Sequence, residues 1–131
     1  MTSTSHVSDV FWRILAQPTQ GVAGLVDDLL KACREHNLQL DWQGNRCCLR
    51  SLKGEWEDSI NVPLRKSVFR AILARVATLC NEQTPDSVSP YGGQAELLVG
   101  LPRATLMRVT FANTLAEQKL QISPTPTASD T

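Results

Sequence analysis

The chain has little of what marks an enzyme. It carries no G-x-x-x-x-G-K-[ST] loop to wrap nucleotide phosphates, no G-x-S-x-G elbow and no H-E-x-x-H pair. Net charge is missing too. Thirteen basic and thirteen acidic residues cancel, so no global field draws in nucleic acid or an anionic membrane. No run approaches the ~20 apolar residues of a membrane-spanning helix. The opening MTSTSHVSDVFWRIL lacks the basic start and long apolar run of a secretory signal. Aromatic residues are scarce, and Trp12, Trp42 and Trp56 fall on separate segments, which suits core anchors better than a stacking platform for bases.

The cysteines Cys33, Cys47, Cys48 and Cys80 form no C-x-x-C pair, and His6 and His36 are not spaced as their partners. Neighbours on a strand, such as Cys47 and Cys48, face opposite ways and cannot share a metal. Buried thiols in a reducing cytoplasm are therefore expected. Glu55, Glu57 and Asp58 crowd beside a turn and read as a solvated edge. No catalytic residue, metal site or cofactor is predicted.

What is present is enough for one domain. The 131 residues are 42% apolar, sufficient for a single core. The Ser/Thr/Pro-rich ends, 1–8 and 124–131, are expected to be disordered and to flank a domain over 9–123. A short amphipathic segment, SDVFWRILA, starts at a Ser8 or Asp9 cap and stops before Pro18. From Gly21 to His36 the period is helical, with Val22, Leu25, Val26, Leu29, Cys33 and His36 on one stripe.

The period then falls to two. Leu38, Leu40 and Trp42 alternate with Gln39 and Asp41; RCCLRSL returns with Cys47 and Leu49 inward; WEDSINV makes a third strand. Pro63 sits well at the first turn of a long helix ending near Asn81, whose stripe is Leu64, Val68, Ile72, Val76 and Leu79. Three more strands follow, with Ala95, Leu97 and Val99, then Met107, Val109 and Phe111, then Leu120 and Ile122 on their inner faces. The expected fold is α+β: an antiparallel sheet with two main helices packed on one face, in the order α-βββ-α-βββ. Leu29, Trp42, Leu49, Ile72 and Phe111 are the predicted core centres.

Two local features remain. SPYGGQAELL contains Gly92-Gly93-Gln94, the triplet that release factors use on a loop to hydrolyse peptidyl-tRNA. A neutral chain argues against that use, because ribosomal RNA rewards a strongly basic partner, and a turn leading into a strand is the simpler role. The second feature is a stretch from Ser59 to Asn81 with no acid, holding Arg65, Lys66, Arg70 and Arg75. Lys66 and Arg70 fall opposite the helix's apolar stripe and Arg75 at its edge, a basic face suited to an acidic protein surface.

The motifs GLVDDLLKAC, CCLRSLKGEWED, VFRAILARVATL, PYGGQAEL and TLMRVTFANTLAEQKLQI follow one another as in a known family. In order and gaps they resemble the second N-terminal domain of the ATPases that drive type II secretion and type IV pilus assembly. The resemblance spans about a hundred residues. It implies a small sensor-like α+β fold that mediates contacts between neighbouring domains. It also makes PYGGQAEL a strand-entry turn and Gln94 no catalyst. In that family an Arg ending this turn and an Arg on the following strand reach phosphates held by the ATPase domain. Here Gln94 stands at the first position and Arg108 at the second, and Arg75 matches the Arg of the helix motif. Nine residues follow Ile122, too few for the ATPase domain itself.

The expectation is a non-catalytic interaction or regulatory module, either a solitary copy of that domain or one domain of a longer chain. Its partner would be a secretion ATPase or related component, met through Lys66, Arg70, Arg75 and Arg108, and ATP would bind weakly or not at all. A secretion-chaperone-like dimer and a small-ligand sensor domain are the alternatives. For Arg108 a plainer role stands alongside: a surface pair with Glu96 on the preceding strand, worth about 0.2–1 kcal/mol.

Overall fold

The computed structural model describes residues 3–16, 21–34, 36–50, 60–100 and 104–125. The fold is α+β, with three helices and one six-stranded antiparallel sheet among these residues. Helix α1 is Ser3–Ala16 and α2 is Gly21–Ala32; strands β1 (Leu38–Gln43), β2 (Arg46–Arg50) and β3 (Ile60–Val62) follow. Then come α3 (Lys66–Gln83) and strands β4 (Gly92–Val99), β5 (Thr105–Asn113) and β6 (Gln118–Pro124).

The strand order is β3-β2-β1-β6-β5-β4. Each half of the sheet is a local meander, and β1 and β6 join them, with Leu38 opposite Ile122 and Leu40 opposite Leu120. Alternation sets the faces. Leu38, Leu40, Cys47, Leu49, Val62, Leu97, Met107, Val109, Phe111, Leu120 and Ile122 are buried on one side. The other side carries Gln39, Asp41, Lys119, Gln121, Thr110, Arg108, Gln94 and Glu96, which the same registers place together. Helix α3 rests on β2, β4, β5 and β6, α2 packs on α3, and α1 touches α2 and β3. Phe69, Ile72, Leu73 and Val76 carry α3's contact and have no exposed surface.

Several boundaries differ from the sequence pattern. Helix α1 begins at Ser3, ahead of the Ser8 or Asp9 cap, so the segment expected to be disordered is helical from that residue. Helix α2 stops at Ala32; Cys33 and Arg34 form a turn, and His36 lies beyond the helix rather than closing its stripe. Helix α3 starts three residues after Pro63. The Leu64 N–H bonds the Val62 carbonyl at 2.8 Å, a tight bend that carries the chain off β3 before the first helical bond, Phe69 N–H to Arg65 carbonyl, forms at 3.0 Å. The third strand is described only from Ile60; the rest of WEDSINV, with Trp56, lies outside the described residues, as does the tail from 126. Leu29, Leu49, Ile72 and Phe111 are buried as expected. Trp42 is half-buried because its indole N–H turns outward to the Gly44 carbonyl, 3.1 Å away.

Candidate interaction surface

The Gly92-Gly93-Gln94 stretch is strand entry. Ser89 and Gly92 exchange backbone hydrogen bonds of 3.2 and 3.3 Å around Pro90 and Tyr91, closing a turn that feeds β4. The glycines permit two close approaches. With φ of +152°, Gly92 lies so near β5 that a Cβ would come 2.8 Å from the Phe111 carbonyl oxygen. With φ of +154°, Gly93 would put its Cβ 2.9 Å from the Val88 side chain. Gln94 is exposed and sits opposite Thr110. Backbone geometry accounts for both glycines.

The four basic positions do not converge. Lys66 is exposed at the first residue of α3. Arg70, expected on the free face of the helix, is half-buried: its Nε–H donates to Asn113 Oδ1 at 3.0 Å, and the Asn113 amide donates back to the Arg70 carbonyl at 3.4 Å. The pair fastens α3 to the end of β5. Arg75 is half-buried, and its Nε is enclosed without a hydrogen-bond partner. Arg108 points to the opposite face of the sheet, across from Glu96 in register, with Nη2 4.0 Å from Oε2. Both side chains of that pair are about half exposed, the plain cross-strand arrangement the alternation predicts.

Sequence pattern put Arg65 in the acid-free stretch but not among the contact residues. It is the N-cap of α3, in an extended conformation and without a side-chain capping bond. The first turn contains no acid, so Arg65 and Lys66 add their charge to the positive end of the helix dipole with no acidic residue there to offset it.

The thiols are enclosed. All four are buried and unpaired. Burial pushes Cys33 well above the ordinary thiol value and also raises Cys80. Cys47 is pushed up to about 12, by burial first and then by Cys48 and Asp41 beside it. These three thiols stay protonated at neutral pH and are poor nucleophiles. Among the described residues no group of three or more His, Cys, Asp and Glu gathers as metal ligands, and no helix is long and apolar enough to cross a membrane.

A half-open cavity of about 200 Å³ lies where α2, α3 and β4 meet. Its wall includes Leu30, Leu79, Leu97 and Val99, with Lys31 and Gln83 among its polar members. Gln83 has a second task that sequence spacing gave no sign of. Its amide N–H donates to the Leu98 carbonyl at 3.0 Å, and its carbonyl accepts the Leu98 N–H at 2.8 Å. A side chain thus occupies both backbone groups of a residue on an edge strand. No family model matches the chain, and no curated protein does.

Proposed function

We propose that this chain is a non-catalytic protein-interaction module that docks an acidic surface of its partner at the N-terminus of α3. One observation carries the reading: the first turn of α3 has an uncapped N-cap, no acid, and two exposed cations, Arg65 and Lys66. A helix left this way is less stable than one with an acidic first turn, by about 0.3–1 kcal/mol per charge. A partner carboxylate placed there would recover that energy. The resemblance of the order of short motifs to that of the secretion-ATPase domain supports a module of this kind and makes a secretion ATPase or related component the partner to try first.

The test is titration of a purified secretion ATPase from the same cell against wild type and an Arg65→Glu/Lys66→Glu variant. Arg70 stays untouched because its bond to Asn113 is structural. Binding to wild type that weakens at least about tenfold in the variant, and weakens with salt, supports the reading. Equal binding by both forms, or by neither, refutes it.

The cavity favours a second reading, a small-ligand sensor. An apolar void of about 150 Å³ is known to hold benzene, so one of about 200 Å³ accommodates a ligand of single-ring size. Shifts of the Leu30, Leu79 and Val99 methyl resonances on adding indole would support it.

A further inference from the structure

Strand β4 is one edge of the sheet, and an edge strand offers unpaired backbone groups to any other strand. In an antiparallel pair, residues alternate between bonding the neighbour and pointing away from it. Gly92 bonds Ser89 and Leu98 bonds Gln83, both on the side away from β5. Gln94 and Glu96 share that parity, so their N–H and C=O groups point outward as well. The free edge is therefore a short window, Gln94 to Glu96, closed at one end by the Ser89 turn and at the other by the Gln83 amide.

We propose that this window pairs with the same window of a second copy, and that Gln83 is the latch that limits the pairing. Three observations choose a second copy as the occupant. First, the window is complementary to itself. With Ala95 opposite its own image, Gln94 falls opposite Glu96 of the other molecule. Four backbone hydrogen bonds form, and an amide lies beside a carboxylate instead of one carboxylate beside another. Each Glu96 keeps its own Arg108. Second, the inner side of this seam carries Gly93, Ala95 and Leu97, so small residues lie at its centre and a glycine opposite each leucine. Third, the large apolar side chains exposed among the described residues include Tyr91, 68% exposed, and Leu98, 57% exposed. They stand at opposite ends of the same edge, and the two-fold register brings Leu98 of one molecule next to Tyr91 of the other.

Gln83 acts against this pairing. It occupies the Leu98 backbone and stands where the other molecule's turn at Ser89–Gly92 would arrive. Removing its side chain frees the Leu98 backbone, which by the two-fold symmetry lies at each end of the seam, while the Ser89 turn still holds Gly92.

Sedimentation over a wide concentration range tests the proposal, with folding followed by circular dichroism. Gln83→Ala should associate as a dimer about tenfold or more tighter than wild type. Glu96→Pro removes an outward N–H without touching the β5 ladder and should return Gln83→Ala to monomer. Ala95→Cys in the Gln83→Ala background reports register independently. Directly opposed residues lie within disulfide reach, so mild oxidant should give a covalent dimer that the parent, with all four thiols buried, does not. The proposal is overturned if Gln83→Ala associates no more than wild type, if association survives Glu96→Pro, or if Ala95→Cys fails to cross-link.

Discussion

Replacing Gly92 by Ala separates two costs that a glycine can hide. The first is conformational: a left-handed φ costs an L-residue about 1–2 kcal/mol. Gly44, in the β1–β2 turn, carries only that cost, because its φ is +65° and nothing lies within 4 Å of an added Cβ. Gly92 carries a second. Its Cβ would stand 2.8 Å from the Phe111 carbonyl oxygen, which belongs to the backbone of the neighbouring strand and cannot rotate away. Strands β4 and β5 must part locally, losing on the order of one or two ladder bonds at ~1 kcal/mol each. Reduced entropy of the unfolded chain returns about 0.4–1 kcal/mol in both variants. The net expectation is under about 1.5 kcal/mol for Gly44→Ala and about 2–3 for Gly92→Ala. At roughly 3–5 °C per kcal/mol for a chain of this size, Gly92→Ala should melt about 10 °C below wild type. Thermal and urea melts by circular dichroism measure both. If the two variants melt together, the close approach of β4 to β5 is not what requires a glycine at 92.

Other perturbations have equally definite outcomes. Ile72→Ala, at a position with no exposed surface, should cost about 2–5 kcal/mol in urea unfolding. Asn113→Ala leaves the half-buried Arg70 Nε without its acceptor and should cost about 1–3 kcal/mol. A double-mutant cycle on Glu96 and Arg108, whose closest charged atoms are 4.0 Å apart and half exposed, should give a coupling below about 0.5 kcal/mol that salt removes. Alkaline pH probes Cys47. Its proton is held more tightly in the folded chain, to about 12 against the ordinary 9.0, so its contribution is full below pH 9 and is lost as the pH climbs from there. The slope for one such thiol is about 1.4 kcal/mol per pH unit. Comparing the urea midpoint at neutral and alkaline pH, the loss in Cys47→Ala should be shallower than in wild type; parallel losses would contradict the assignment.

Much of the fold is legible because alternation is a local property. Leu38 and Leu40, Met107 and Val109, and Leu120 and Ile122 declare their inner faces residue by residue, and the Glu96–Arg108 pair follows once two adjacent strands are antiparallel. Helix ends are less legible. Pro63 is compatible with a first turn, yet the bend at Val62–Leu64 uses the same proline to leave the strand. The half-burial of Arg70 was hidden for a long-range reason: Arg70 is tied to Asn113, a partner 43 positions away, and helical spacing carries no record of it. Gln83 is similar. Nothing in NEQTP announces that its amide will meet the backbone of Leu98, because that depends on where the end of α3 lies relative to the sheet edge.

The position of β6 governs how the chain assembles. The β1–β2–β3 meander and the β4–β5 hairpin pair strands that are neighbours in sequence, but the two halves of the sheet have no strand ladder in common until β6 enters between β1 and β5. The ladder that joins them sets Leu38 against Ile122, so the loop it closes spans most of the chain and its entropy must be overcome before those contacts stabilise anything. As the chain is synthesised, β1 and β5 each keep a bare edge until residues 118–124 emerge. In that interval each is an aggregation-prone edge. Insertion of β6 covers both edges in a single step, so one strand removes two aggregation-prone edges at once.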